Sequence, residues 1–430
     1  MIAYNKNYRK INKVLIFIFV CLLSLMLVSC VEDDIIDENE QYKIEMPKDL
    51  CVGERYELRF KDGINKEEYD FNILTSDEVG FKDYVLFGKE EGTASIEIVY
   101  PNGNKDYVMF EILPEVPVER IEFSIDKGDD ENYVVEKEYK MNCVAYPERS
   151  RQEFTFSVGD TKNVVDTDKM TIKFGVAGEL DIICYAKRNK DAKQILKVDV
   201  GFNKDIEMYQ VLYIGNSLTN YTYNIPSIIS KLMKSVNIPY NYTIDAPSGF
   251  WIADHADDYY NYVDKNRYTH IVYQEQSKGP ITDYDKFEST ILDFTSYVKY
   301  EDTKFVVYET WAYERSYLKG EENQREMTMQ LKEAYEKVAK LIGADIVRSG
   351  EAFWEYEQRS YVNGEETLPT LFADANHPSF YGAFLSACVH YVTLTGRSAV
   401  DNEYMPTEIE AEVALLIKQI ADDIALNKTE

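Results

Sequence analysis

The sequence predicts a multidomain chain in which two all-β modules precede an α/β unit with a parallel five-stranded sheet covered by helices on both faces. Three observations carry this. Between about 42 and 203, short runs alternate apolar and polar residues between polar turns, without a helical period. From 207 to 428, near-continuous apolar strands alternate with amphipathic helical stretches. The chain has 430 residues, 45% of them hydrophobic, which is too long for one ordinary domain and apolar enough for several cores.

The N-terminal segment reads as an address rather than a domain. Basic residues up to Lys13 precede the apolar run 14–28, and "LVSC" closes it at Cys30. That order describes a secretory signal over 1–29, and the run is short for a membrane span. Leu-Val-Ser-Cys resembles a bacterial lipobox, which implies lipidation of Cys30. The acidic tether 30–41 is similar to surface-export signals of Bacteroidetes-type lipoproteins. Together these imply a membrane partner through an N-terminal lipid, in the cell envelope and exposed at the outer membrane. The formal charge is −29, from 47 basic and 76 acidic residues, so a phosphate backbone is repelled and nucleic acid is excluded as a partner. Oligomeric state is not readable.

The β region contains "RYELRF", "ASIEIVY", "YVMFEIL", "RIEFSI", "YKMNCVAYP", "MTIKFGV", "LDIICYA" and "ILKVDV". It divides near "LPEVPVER" into modules at 42–115 and 116–203, each the size of a sandwich. Val52, Gly53, Glu54, Tyr56 and Leu58, followed by Gly92, Ala94 and Ile96, resemble bacterial Ig-like domains. Cys143 and Cys184 both sit at core-facing positions of alternating strands. The resemblance to Ig domains implies an inter-sheet disulfide, and two buried free thiols pack equally well. With no CxxC or Cys/His cluster, no metal site is expected.

In the α/β unit, "MYQVLYIG", "YNYTIDA", "HIVYQ", "KFVVY" and "ADIV" are the strands. "NIPSIISKLMKSV" places Ile225, Ile228, Ile229, Leu232, Met233 and Val236 at helical spacing. The longest helical stretch, 322–342, aligns Met327, Leu331, Tyr335, Val338 and Leu341 on one face. Right-handed crossovers then give a flavodoxin-like sheet, whose sites form at the carboxyl ends of its strands.

Four stretches fall at those ends. "IGNS" brings Ser217 beyond the first strand, and "APSGFW" brings Gly249 beyond the second. "YQEQS" brings Gln274, Glu275, Gln276 and Ser277 beyond the third. "DANHPSFYGAF" places Asp374 three residues before His377, with Pro378 suited to the first position of the final helix. Among four histidines, His270 begins a strand, His390 lies in the last helix and His255 occupies a polar helical stretch. Only His377 has a nearby acid at the sheet's edge.

Residues 209–398 resemble the SGNH (GDSL-like) hydrolase superfamily, and within it an uncharacterised bacterial family typified by "IGNS", "QEQS" and "NHPS..GA.L.A....TLTG". The matching stretches are "IGNSLT" at 214–219, "QEQS" at 274–277 and "NHPSFYGAFLSACVHYVTLTG" at 376–396. The resemblance implies Ser217 as nucleophile, His377 as general base, Asp374 as its orienting acid and Gly249 as an oxyanion donor. Two departures stand out. Asn216 replaces the usual aspartate before the serine. Gln-Glu-Gln-Ser replaces the Gly-x-Asn-Asp block, leaving Gln276 first and Gln274 second as the amide that stands in for the asparagine.

The chemistry implied is acyl transfer without a cofactor. Trp251, Trp311 and Trp354 are expected at loops on the same face, where they would stack on a sugar. The expectation is therefore a surface lipoprotein that O-deacetylates acylated carbohydrate. The competing expectation is an inactive SGNH-fold lipoprotein that binds glycans or acts in adhesion.

Overall fold

A computed structural model describes residues 44–61, 63–362 and 365–426. The signal, Cys30 and the acidic tether lie outside the described residues. The chain divides into two compact units: one ends at Val116 and includes Arg149–Arg151, and the other holds the rest. The second β module and the α/β part thus share one unit.

The first module packs a four-stranded sheet (Asp49–Cys51, Lys105–Leu113, Gly92–Val99, Asp70–Ile73) with a three-stranded one (Arg55–Glu57, Val85–Gly88, Val79–Lys82). Leu50, Leu86, Ala94, Ile96, Ile98 and Phe110 fill its core. The second module has two four-stranded sheets. Strand Arg120–Asp126 shows why: its residues alternate strictly between exposed and buried, with Ile121, Phe123 and Ile125 inward. The disulfide expected between Cys143 and Cys184 is absent. Both are free thiols, their Sγ atoms 3.7 Å apart across the two sheets, against about 2.05 Å for a bond.

The α/β part has five parallel strands: β1 (Tyr209–Ile214), β2 (Tyr240–Asp245), β3 (His270–Tyr273), β4 (Lys304–Tyr308) and β5 (Asp345–Val347). Their spatial order is β2-β1-β3-β4-β5. All six residues of β1 are buried, as a central strand covered on both faces requires. Val211, Tyr213, Val306 and Tyr308 face one layer of helices: α1 (Ile225–Ser235), α5 (Ser349–Ser360), α6 (Phe380–Thr395) and α7 (Ala411–Ala425). Leu212, Ile214, Ile271 and Val307 face the other: α2 (Ala256–Lys265), α3 (Tyr284–Tyr297) and α4 (Glu321–Ile342).

Three local expectations change. On α4, Met327, Leu331, Tyr335 and Val338 are buried, but Leu341, one residue from the helix end, is 49% exposed, while Ala339 and Ile342 carry the last turn's contact with the core. The helix after His377 starts at Phe380, with Ser379 rather than His377 at its mouth; Pro378 instead bridges back to Phe372. That helix is followed by another, α7, so His390 lies in the penultimate helix.

Candidate active site

In a β2-β1-β3 arrangement the β1-to-β2 and β2-to-β3 crossovers run on opposite faces of the sheet, and a crevice opens between the carboxyl ends of β1 and β3. The turn after β1 delivers Ser217 to this crevice. Asn216 shapes the turn: its Oδ1 accepts from the Leu218 N–H at 3.1 Å, and its Nδ2 donates to the Phe250 carbonyl at 2.9 Å. The second bond needs an amide, since an ionised aspartate has no proton to give. It ties the serine turn to the Gly249 loop.

His377 arrives from the far end of the chain on a short loop tied at several points. Ala373 N–H donates to the His377 carbonyl at 2.9 Å, and Ser379 N–H to Leu371 at 2.7 Å. Trp311, 1% exposed and stacked flat on Phe353 at 4.1 Å, donates its indole N–H to the Asn376 carbonyl at 2.9 Å. Within this frame Asp374 Oδ2 lies 2.8 Å from His377 Nδ1, and His377 Nε2 lies 2.9 Å from Ser217 Oγ. Asp374 Oδ1 also accepts the Asn376 and His377 backbone N–H groups at 3.0 and 2.8 Å. Desolvation pushes the Asp374 carboxyl up, but these backbone bonds and the imidazole outweigh it and hold it below the usual carboxylate value. Tyr221 stacks on the imidazole, centroids 4.5 Å apart and planes 24° apart.

The structure therefore brings Ser217, His377 and Asp374 into one hydrogen-bonded chain. It opens on a cavity of about 350 Å³ that Gly249, Gln276, Ser277, Ser248, Tyr221 and Asn376 help to line. Gly249 has φ +80°, a left-handed conformation that glycine adopts without strain. Gln276 lies on the wall, its Nε2 donating to Ser277 Oγ at 3.2 Å and its Oε1 accepting from Lys278 N–H at 3.0 Å.

Gln274 is not an oxyanion donor. It is 1% exposed; its Oε1 accepts from the Asn216 N–H at 3.0 Å and Thr219 Oγ1 at 2.9 Å, and its Nε2 donates to the Glu275 carbonyl. Its amide is consumed in bracing the serine turn. The tryptophan rim also fails to form. Trp311 is core, Trp354 lies half-buried on α5, and Trp251 is covered by the Lys286 ammonium 4.7 Å from its ring centre.

Sequence reasoning missed Tyr221, the support from Trp311 and the burial of His255. Tyr221 follows Ser217 by four residues, a spacing that a one-turn loop could have flagged. Among the described residues, no group of three or more His, Cys, Asp or Glu side chains is placed to hold a metal.

No family model and no curated protein matches the chain. Solved structures resemble it at low identity. A DUF4886 family protein from Bacteroides uniformis is 20% identical with a TM-score of 0.42, covering 52% of this chain and 97% of its own. A candidate SGNH hydrolase from Slackia heliotrinireducens is 22% identical with a TM-score of 0.36, over 44% of this chain and 100% of its own. An acetyl xylan esterase from Geobacillus stearothermophilus is 15% identical with a TM-score of 0.35, over 45% and 97%. What the site can do follows from its own atoms.

Proposed function

We propose that this protein is a serine ester hydrolase acting on O-acylated carbohydrate, with acetyl as the acyl group. The observation that carries the reading is the unbroken chain from Asp374 through His377 to Ser217 Oγ at the mouth of a cavity. Three such groups in series have a well-defined use. His377 Nε2 takes the Ser217 proton as Oγ attacks the ester carbonyl. Asp374 holds Nδ1–H and stabilises the imidazolium. The developing oxyanion is assigned to the Ser217 and Gly249 N–H groups and the Gln276 amide, which would turn from Ser277 to donate. Collapse breaks the ester C–O bond, and the departing alcohol takes the proton from His377. Water, deprotonated by the same imidazole, attacks the acyl-enzyme and releases the acid and the free serine.

The cavity, about 350 Å³, has room for a short acyl ester together with part of its alcohol. Ser248, Ser277, Gln276 and Asn376 offer hydrogen bonds of the kind a sugar hydroxyl makes, beside the face of Tyr221. The carbohydrate is proposed on these groups and on the lipobox at Cys30, which would hold the protein at the cell surface. A fatty-acid analogue fed to cells should label the wild-type protein and not Cys30→Ala; label in Cys30→Ala would remove the anchor from the proposal.

Turnover of a chromogenic acetyl ester and of acetylated oligosaccharides tests the chemistry. Ser217→Ala and His377→Ala should each remove nearly all activity, and the double variant should lose little more, because either deletion disables the same step. Asp374→Asn should retain more than either. Full activity in a well-folded Ser217→Ala protein would overturn the reading. One observation favours a second reading, glycan binding without turnover: the Gln276 amide is engaged with Ser277 rather than directed at Ser217. Saturable binding of glycan by a wild-type protein that hydrolyses none of these esters would establish it.

A further inference from the structure

Beneath the serine turn lies a second histidine–carboxylate pair that faces away from the cavity. Asp245 ends β2, and His255 ends the short 3-10 turn Ile252–His255 that follows the Gly249 loop. They are 9% and 1% exposed. His255 Nδ1 lies 2.8 Å from Asp245 Oδ2, and Nε2 lies 2.9 Å from the Gly215 carbonyl oxygen. A carbonyl only accepts, so Nε2 carries a proton. Nδ1 faces a carboxylate oxygen, so one further proton lies between Asp245 and the ring. A carboxylate at Asp245 accepts at that oxygen, so the ring donates from Nδ1 as it does from Nε2.

The acceptor at Nε2 is significant. The Gly215 carbonyl and the Asn216 N–H belong to one peptide group. His255 holds its oxygen, while Gln274 Oε1 holds its N–H at 3.0 Å from the other side. The next peptide group carries the Ser217 N–H. No side chain larger than hydrogen fits at Gly215, where a Cβ would meet Gln274 Oε1 and Thr219 Oγ1, each at 2.7 Å. A peptide hydrogen-bonded at both its oxygen and its N–H is held against rotation, and its orientation sets where the Ser217 N–H and Oγ point. The Phe250 ring packs on His255 with centroids 5.2 Å apart, and the Phe250 carbonyl accepts from Asn216. Both proposed backbone donors, Ser217 and Gly249, are thereby fixed to one frame.

We propose that His255 and Asp245 form a buried imidazolium–carboxylate positioning pair that locks the Gly215–Asn216 peptide and, through it, the Ser217 nucleophile and its N–H. The pair rests on the reading of Ser217 as nucleophile and extends it, since neither residue reaches the cavity. The cost of burying two charges is offset by the short ion pair and by the Gly215 carbonyl, which uses the remaining donor.

The proton count can be measured without any activity. In full-length Ser217→Ala protein with 15N-labelled histidine, at neutral pH, the His255 ring should show two nitrogen-bound protons; His255→Gln assigns the signals by their loss. A ring with a single N–H overturns the ion pair. In the active protein, His255→Ala and Asp245→Ala should lower kcat by about 10- to 100-fold with KM unchanged, the scale expected for a slightly misplaced reacting group. Asp245→Asn is the discriminating variant. Its amide can donate to Nδ1 of a neutral ring that keeps Nε2–H on Gly215, so it should lose less than about tenfold on the same scale. Wild-type kcat in folded His255→Ala, or equal damage from Asp245→Asn and Asp245→Ala at matched melting temperature, overturns the positioning role. Wild-type protein inactive on every ester overturns the hydrolase reading instead, and the proton count still decides the pair.

Discussion

Glu275 occupies the wall behind Gln276 and is 1% exposed, an expensive place for a carboxylate. Burial pushes its carboxyl up from the usual 4.5 to about 7, against partial relief from the Gln276 and Ile252 backbone N–H groups that its Oε1 accepts. Between those two pH values the folded state holds a proton that the unfolded state has released. Stability from this group is therefore fully present below pH 4.5 and is lost as pH rises through about 7, a change of about 3 kcal/mol. Glu275→Gln keeps an oxygen for both N–H groups and has nothing to ionise. Its melting temperature should exceed that of the wild type at pH 8, with the difference shrinking toward pH 5; parallel melting curves across that range would contradict the account. At this scale the sequence reveals groups whose partners are near in the chain. Asp374 and His377 are three residues apart and legible together. Gln274 and Gln276 differ only in what folds over them. The bonds that occupy Gln274 come from Asn216 and Thr219, more than fifty positions away, and no local spacing reports them.

Helices and strands were legible where burial is continuous. The central parallel strands β1, β3 and β4 read directly as apolar runs because both of their faces are covered, whereas the edge strand β2 is only half-buried. The first module was harder: "RYELRF" forms two short pieces, Arg55–Glu57 and Arg59–Phe60, in different sheets, interrupted at the inward-pointing Leu58. Such short strands are set by their neighbours rather than by their own alternation. The start of α6 shows the same limit and has a consequence for the site. Ser379 caps it, and Gly382 lets its first turn press against the segment leading into the Asp374–His377 loop. A Cβ at Gly382 would lie 2.4 Å from the Leu371 carbonyl oxygen and 2.9 Å from the Phe353 ring. The obstruction is backbone, which cannot rotate aside. Gly382→Ala should cost about 1–3 kcal/mol and displace the loop that carries His377, lowering both melting temperature and kcat. Unchanged melting in Gly382→Ala would show that the helix can slide, and the loop would then be less firmly tied than its hydrogen bonds imply.

Across the whole molecule, the two ends of the parallel sheet have different tasks. The carboxyl ends carry Ser217, Gly249 and Gln276, and the cavity is lined entirely by residues between 216 and 377. The amino ends are closed by the second β module. Gln210, at the start of β1 and 4% exposed, accepts from the Ala177 N–H at 3.0 Å and donates to the Ala177 and Arg267 carbonyls. Asn241 on β2 donates to the Gly175 carbonyl, the Arg267 N–H donates to the Ala177 carbonyl, and the Arg267 guanidinium lies 2.8 Å from Asp199. Gly178 permits this approach, since a Cβ there would meet the Lys265 carbonyl oxygen at 2.6 Å. The change from β to α/β pattern near 203 was legible as a boundary, but the seam was not, because a buried glutamine in an apolar strand announces no partner. Two truncations separate these tasks. A chain beginning at Pro117 keeps the seam and should hydrolyse acetyl esters with the kcat of the full-length protein. A chain beginning at Asp205 leaves Gln210, Asn241 and Arg267 without their partners across the seam. At about 1 kcal/mol for each of the four hydrogen bonds to the Gly175 and Ala177 backbone, the exposed Arg267–Asp199 pair left aside, it should be roughly 4 kcal/mol less stable. Its active-site residues are all retained, so turnover measured well below its melting temperature should persist. Equal denaturant midpoints for the two truncations would mean that the second module is a spacer rather than the floor of the parallel sheet.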